Sequence, residues 1–146
     1  MKIALASDHA GYELKEKIKQ FITKHECIDF GSHDAKSMDY PDTGFQAASA
    51  VSNGECERGI LVCGSGIGMS IVANKVPGVR AALCHTEKLA QLSRQHNNAN
   101  VLVLPGRFIS SYLAADIIKI WLTTEFEAGR HLNRIKKIKK YEDEVK

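Results

Sequence analysis

Residues 59–68 read Gly-Ile-Leu-Val-Cys-Gly-Ser-Gly-Ile-Gly, and this stretch decides the fold. Its first half, residues 59–63, is a short apolar run that predicts a buried strand. Its second half places three glycines before a helical segment that ends near Asn74, which predicts a tight strand-to-helix turn. Such a turn gathers backbone N–H groups at the positive end of a helix, where they bind anions.

The same alternation of strand and helix extends in both directions along the chain. The predicted strands are residues 2–6, 27–30, 59–63, 79–84 and 101–104, and the helices begin near Tyr12, Pro41, Ile67, Thr86, Ser110 or Ser111, and Glu127. Because five strands alternate with helices, the sequence predicts one three-layer α/β domain over residues 1–146 with a parallel sheet. Ligands on such sheets bind at the carboxyl ends of the strands.

The composition is that of an ordinary globular protein. The 146 residues are 44% hydrophobic and 25% charged, which excludes disordered and fibrous classes. The apolar runs are far shorter than the roughly 20 residues of a membrane span. The first residues reach Asp8 and His9 too early for a signal peptide, so a cytoplasmic location without a membrane partner is expected. The four cysteines contain no Cys-x-x-Cys pair, which argues against a zinc site or a disulfide framework.

Positive charge is concentrated near the carboxyl terminus. Residues 130–140 hold six Lys and Arg side chains and no acid. A run of this kind is usually a solvated helix face, and a net charge of +3 is too small for a general nucleic-acid footprint. A nucleic-acid partner is therefore not expected.

The spacing of the glycine turn excludes several common anion sites. A dinucleotide fingerprint needs its third glycine at position 69, where the chain has Met69. A Walker loop needs Gly-Lys-Ser/Thr, which is absent, and a Cys-x5-Arg phosphatase loop needs arginine at position 69. The thiol of Cys63 begins the turn, and N–H donors at a helix start favour the thiolate, so it is a candidate base or nucleophile.

Three further side chains are candidates at other places in the chain. His96 precedes the fifth strand, at its amino end, so a second subunit must supply it if it acts at the carboxyl edge. Arg130 and Arg134 are four residues apart on one helix face, a spacing that suits clamping a phosphate.

An ordered set of motifs resembles the type B ribose-5-phosphate isomerases. The motifs are Ser7-Asp8-His9-Ala10-Gly11, Asp39-Tyr40-Pro41-Asp42, Cys63-Gly-Ser-Gly-Ile-Gly68, Gln95-His96-Asn97-Asn98-Ala99-Asn100, Gly106-Arg107 and Gly129-Arg130-His131. The resemblance spans almost the whole chain. It implies a Rossmann-like α/β/α subunit and a homodimer, or a tetramer, with active sites shared between subunits and with the last helix, about residues 127–141, contributing to the dimer.

The resemblance also implies roles for individual residues. Cys63 looks like the base that moves a proton between C2 and C1 of the open sugar, with Ser65 near the reacting carbons and His96 opening the furanose ring. The enediolate would be bound by the N–H groups of Gly64, Gly66 and Gly68. The sugar would be contacted by Asp8, Tyr40 and Asn97. The phosphate would be held by His9, Arg107, Arg130 and Arg134. No cofactor or metal is implied.

Two alternatives stay open on the sequence. The family also includes isomerases of six-carbon sugar phosphates such as allose 6-phosphate and galactose 6-phosphate, so the reaction is better specified than the sugar. A non-catalytic module that binds a sugar phosphate or a nucleotide would use the same glycine turn for the phosphate itself. The thiol at the start of the turn favours the enzyme, because phosphate binding alone does not need it.

Overall fold

Strands and helices alternate along the whole chain in the computed structural model, which describes residues 1–146. In chain order the elements are β1 (Lys2–Ser7), α1 (Tyr12–Phe21), β2 (Glu26–Asp29), α2 (Tyr40–Ser52), β3 (Arg58–Cys63), α3 (Ile67–Asn74), β4 (Ala81–Leu83), α4 (Glu87–Asn97), β5 (Val101–Pro105), α5 (Ser111–Thr123) and α6 (Gly129–Glu144). All strand pairs are parallel. The predicted α/β class with a five-stranded parallel sheet is confirmed.

The strand order, which the sequence did not reveal, is β2-β1-β3-β5-β4. From β1 the chain moves to one edge of the sheet to form β2, and then crosses β1 to form β3 on its other side. The loops that follow β1 and β3 therefore leave the sheet in opposite directions. A crevice opens between them at the carboxyl edge, which is where such sheets bind ligands.

The central strands are buried on both faces because helices cover the sheet on each side. Alternate residues of β1, such as Ile3 and Leu5, pack with Trp121 and the α1 and α5 side. The residues between them, such as Ala4, pack with Met69 and the α2 and α3 side. This double burial explains why the central strands read as continuous apolar runs.

Two helix starts are stabilised by the capping side chains that the sequence suggests. The Oγ1 atom of Thr86 accepts a hydrogen bond from the N–H of Leu89 at 3.1 Å. The Oγ atom of Ser110 accepts one from the N–H of Leu113 at 3.1 Å, which identifies Ser110 rather than Ser111 as the cap. Each such cap contributes about 1 kcal/mol.

Two elements, β4 and α6, begin two residues later than the sequence predicts, whereas the other strand boundaries agree to within one residue. Strand β4 is shorter than residues 79–84, because the N–H of Val79 closes a turn on Val76 and the N–H of Arg80 donates to the Asn100 side chain at 2.7 Å. Helix α6 begins at Gly129 rather than Glu127, because Ala128 has a φ of +55° and lies outside the helical region. No helix combines the length and the apolar character needed to span a membrane.

Candidate active site

A cavity of about 380 Å³ lies at the carboxyl edge, in the crevice between the loops that follow β1 and β3. Eight residues with a role predicted from the sequence meet there, together with Ala10 and Phe108. The lining residues are Asp8, His9, Ala10, Tyr40, Cys63, Gly64, Ser65, Gly68, Arg107 and Phe108. The sequence predicted a site at this edge, and the fold brings together parts of the chain that are a hundred residues apart.

The glycine turn presents unpaired N–H donors next to this cavity. Gly66 has a φ of +77°, a conformation that favours glycine, and it precedes α3. The N–H groups of Gly64, Ser65 and Gly66 donate to no acceptor within the chain, whereas the N–H of Ile67 donates to Ser65 Oγ at 3.2 Å. These donors add to the positive end of the α3 dipole, so the turn is suited to stabilising a negative oxygen.

Two glycines allow larger side chains to close over the turn. A Cβ at Gly68 would lie 2.7 Å from the ring of Tyr40, so only glycine lets Tyr40 pack here. A Cβ at Gly64 would lie 3.2 Å from the Cδ of Arg107, whose side chain crosses the turn. The ring of Tyr40, at the start of α2, and the guanidinium group of Arg107, after β5, thereby both border the cavity.

Cys63 ends β3 and forms the floor of the cavity. Its side chain packs in the core cluster between the sheet and α2 and α3, and the residue is only 4% exposed. Its carbonyl oxygen accepts a hydrogen bond from the N–H of Gly106 at 2.8 Å, which fixes the backbone at the start of the turn. The side chain is therefore tightly packed, and Cys63 borders the cavity.

The other three cysteines have environments that suppress the thiolate. Burial is the main cause that raises the pKa of Cys84, to about 11, and of Cys56. Burial and the Asp29 carboxylate raise the pKa of Cys27. None of these three cysteines lines the carboxyl-edge cavity.

Asp8 and His9 follow β1 and face the same cavity. One carboxylate oxygen of Asp8, Oδ1, accepts from the N–H of Gly11 at 3.0 Å, while Oδ2 has no hydrogen-bond partner in the chain. The Nδ1 atom of His9 accepts from the N–H of Met38 at 3.2 Å, so the neutral ring carries its proton on Nε2. Asp8 thus keeps one oxygen free for a hydroxyl, and His9 keeps a donor free.

A second, polar cavity of about 340 Å³ adjoins the first and shares His9 and Arg107 with it. Lys17 from α1 also lines this space. Lys17 was not predicted as a site residue, because nothing in the sequence distinguishes it from the other lysines of α1. Phe108 was also not predicted, although an aromatic residue directly after Arg107 is visible in the sequence. In the structure Phe108 is 76% exposed and borders the main cavity.

A second group of predicted site residues lies at the opposite, amino edge of the sheet. His96 and Asn97 end α4, just before β5 begins, and the five residues of β5 separate the two edges by roughly 13 Å. Arg130 and Arg134 lie on the exposed face of α6. One chain by itself therefore does not bring these four residues to the cavity that holds Cys63.

His96, Glu127 and His131 form a compact cluster at the amino edge. Their nitrogen and oxygen ligand atoms lie within 4.8 Å of one another. The two imidazole rings are stacked, however, with centroids 4.3 Å apart and an interplanar angle of 15°. A tetrahedral metal site requires ligand lone pairs that converge on one point. The nitrogen lone pairs of two rings in parallel planes do not converge in this way.

The fold and the cavity define a class: a three-layer α/β protein with an anion-stabilising turn and a thiol at the switch point of its sheet. The chain belongs to the Ribose/Galactose Isomerase family, whose model matches residues 3–138. It is 44% identical to ribose-5-phosphate isomerase B of Escherichia coli, over 94% of this chain and 93% of the relative.

The structure of this chain is also closely similar to solved structures of ribose-5-phosphate isomerase B. The ribose-5-phosphate isomerase B of Clostridium thermocellum superposes with a TM-score of 0.98 at 51% identity, covering 100% of both chains. The ribose-5-phosphate isomerase B of Mycoplasma genitalium, solved with bound ribulose 5-phosphate, superposes with a TM-score of 0.94 at 44% identity, covering 98% of this chain and 97% of the other.

Proposed function

We propose that this chain is an aldose-ketose isomerase that interconverts ribose 5-phosphate and ribulose 5-phosphate. The observation that carries the proposal is a fixed thiol, Cys63, at the start of a turn whose N–H groups have no other acceptor. An isomerisation through an enediolate needs these two things side by side: a base for the proton on carbon and donors for the oxygen that becomes negative. Membership of the family and the ribulose 5-phosphate bound to a relative support the same chemistry.

The reaction divides between the thiol and the turn. The Cys63 thiolate removes the proton from C2 of the open-chain aldose, the hydroxyl proton of O2 passes to O1 in the enediolate, and the Cys63 thiol returns its proton to C1, which leaves C2 as the ketone carbonyl. The oxygen on C1 becomes negative in between, and the N–H groups of Gly64, Ser65 and Gly66 stabilise it. A positioned base contributes about 10² to 10⁴ in rate, and each donor on the oxyanion contributes about 3 kcal/mol. The proposal needs no cofactor or metal.

The phosphate is assigned to the basic side of the cavity. His9 and Arg107 border both the main cavity and the polar cavity beside it, and Cys63 lines only the main cavity. A phosphate held there orients C1 and C2 over the thiol, and its binding energy offsets the entropic cost of that orientation. Asp8 and Tyr40 line the space between and would contact the sugar hydroxyls.

A second copy of the chain would complete the site. His96, Asn97, Arg130 and Arg134 are at the amino edge, out of reach of the cavity in the same chain. Large apolar side chains are exposed on both parts of the chain: Phe108, which lines the cavity, is 76% exposed, Tyr112 in the first turn of α5 is 84% exposed, and Tyr141 on α6 is 66% exposed. We infer a homodimer in which these faces meet and each site takes its ring-opening acid-base residue, His96, from the partner.

The whole of residues 1–146 would then act as one catalytic domain, with α6 contributing both Arg130 and Arg134 and part of the dimer contact.

The four cysteines are all free thiols. Free thiols persist in reducing compartments, so we place the enzyme in the cytoplasm.

The test is an isomerisation assay with purified protein. Conversion of ribose 5-phosphate to ribulose 5-phosphate is expected, and Cys63→Ala should lower kcat by about 10² to 10⁴. Cys27→Ser is the matched control and should keep wild-type activity. Thermal stabilisation by ribose 5-phosphate without turnover would identify a binding module instead. Comparing kcat/KM for ribose 5-phosphate and allose 6-phosphate identifies the preferred sugar.

A further inference from the structure

The stacked imidazole pair at the amino edge is asymmetric in its exposure. His131, from the first turn of α6, is buried at 6% exposure, whereas His96, at the end of α4, is partly exposed. The rings lie face to face, with centroids 4.3 Å apart. His131 is therefore the inner ring and supports one face of His96, and the outer ring is the one that can reach a ligand.

The backbone before α6 is built to hold His131 in this place. The N–H of Glu127 donates to the carbonyl of Gln95, the residue before His96, at 3.1 Å. Ala128 then adopts a φ of +55° and a ψ of −118°, a conformation costly for a residue with a Cβ. The N–H of His131 donates to the carbonyl of Ala128 at 2.9 Å. The strained residue thus connects two segments that are both tied to the stacked pair.

The charges around His131 keep its ring neutral. Burial lowers its pKa most, followed by His96 from α4 and by Arg130 and Arg134 on its own helix. Only Glu127, whose Oε2 lies 3.8 Å from Nε2, acts in the opposite direction. Because the net pKa is below the usual value, His131 carries no charge at neutral pH. A neutral ring stacks without repelling its neighbour and does not compete for the proton that His96 exchanges.

We propose that His131 is a positioning residue for His96: its buried ring holds the plane of the His96 imidazole, so that His96 can donate a proton to the ring oxygen of the sugar as the bond from that oxygen to C1 breaks and the C1 hydroxyl gives up its proton to become the aldehyde. The inference rests on the proposed function, in which His96 opens the furanose ring. The stacking surface, rather than a proton on His131, is what the reaction uses.

Ring opening can be measured apart from isomerisation. In the Cys63→Ala background transfer of the carbon proton is strongly slowed, but opening and closing of the ring still exchanges the α and β anomers of ribose 5-phosphate. The rate of this exchange follows from NMR saturation transfer on ribose 5-phosphate labelled with ¹³C at C1. The parent for the test is the full-length Cys63→Ala protein, and Asn133→Ala, an exposed neighbour of His131 on α6, is the matched control.

The expected results separate stacking from proton transfer. His131→Ala should slow the enzyme-catalysed exchange by about tenfold or more, because the orientation of an acid-base group is worth at least that much. His131→Phe, which keeps a flat ring and has no titratable nitrogen, should restore exchange to within about threefold of the parent with an unchanged pH profile. Asn133→Ala should match the parent, and calorimetry should show the same affinity for ribose 5-phosphate in all variants.

Three outcomes overturn the inference. Exchange in His131→Ala as fast as in the parent removes any positioning role. A His131→Phe variant as slow as His131→Ala, with both folded by circular dichroism, assigns the effect to the imidazole nitrogens instead of the stack. If the parent does not accelerate exchange at all, the role of His96 fails and the inference fails with it, while isomerase activity of the wild-type chain still supports the proposed function.

Discussion

Two inactive variants should restore each other's activity when they share a dimer. Cys63 lies at the carboxyl edge and His96 at the amino edge of the same sheet, separated by the length of β5. If each site combines Cys63 from one chain with His96 from the partner, a hybrid of Cys63→Ala and His96→Asn chains contains one site with both residues mutated. The other site of that hybrid is fully intact.

The size of the restoration follows from this geometry. Random exchange of equal amounts makes about half of the dimers hybrid, and each hybrid has one intact site of two, so the mixture should reach about a quarter of wild-type kcat. Hybrids isolated with two different affinity tags should reach about half of the wild-type kcat per dimer. The assay is conversion of ribose 5-phosphate to ribulose 5-phosphate, after circular dichroism shows that each variant is folded.

A control pair uses two residues from the same edge. Cys63 and Arg107 line one cavity of one chain, so a hybrid of Cys63→Ala and Arg107→Ala has no intact site and should gain no activity over its parents. If the mixture of Cys63→Ala with His96→Asn shows only the summed activity of its parents, although hybrids are recovered with both tags, the shared site is refuted.

Three further outcomes are expected. Asp29→Asn should lower the free energy of unfolding at pH 7 by about 2 kcal/mol, because it removes the carboxylate 2.6 Å from the fully buried Lys15 ammonium and leaves that ammonium paired with Glu16 alone. Burial opposes ionisation of Asp29, but hydrogen bonds from Lys15 and other donors lower its pKa overall. The stability advantage of the wild type over Asp29→Asn is therefore full above about pH 4 and disappears as the pH falls further. Urea unfolding at several pH values measures this advantage, and an unchanged difference at low pH contradicts the prediction. Iodoacetamide should label Cys63 before Cys84, because the pKa of Cys84 is raised to about 11, and substrate should protect Cys63 from labelling. Peptide mass spectrometry measures the order of labelling, and faster labelling of another cysteine contradicts the prediction. Ala128→Gly should raise the unfolding temperature by a few degrees, since relief of roughly 1–3 kcal/mol of strain exceeds the entropic cost of glycine, and calorimetry showing a lower temperature would refute it.

The carboxyl-edge half of the site was predictable because it follows directly from local patterns. An apolar run ending in Cys63 and three glycines predicts a strand, a turn and a helix start, and polar residues after parallel strands meet at one edge. Asp8, Tyr40 and Arg107 follow strands in the sequence, so their meeting at the cavity of this edge was predictable. The start of α6 was not, because the sequence around Ala128 gives no sign that this alanine adopts a positive φ.

The sequence alone determined the element types, the parallel sheet and the anion-stabilising turn, because hydrophobic period, glycine spacing and capping residues act over a few neighbouring positions. Only the tertiary structure decided the strand order, the closure of Tyr40 and Arg107 over the turn, and the stacking of His131 on His96. These features depend on contacts between residues that are distant in the chain, and the free energy of such contacts is settled by the packing of the whole domain rather than by any local segment.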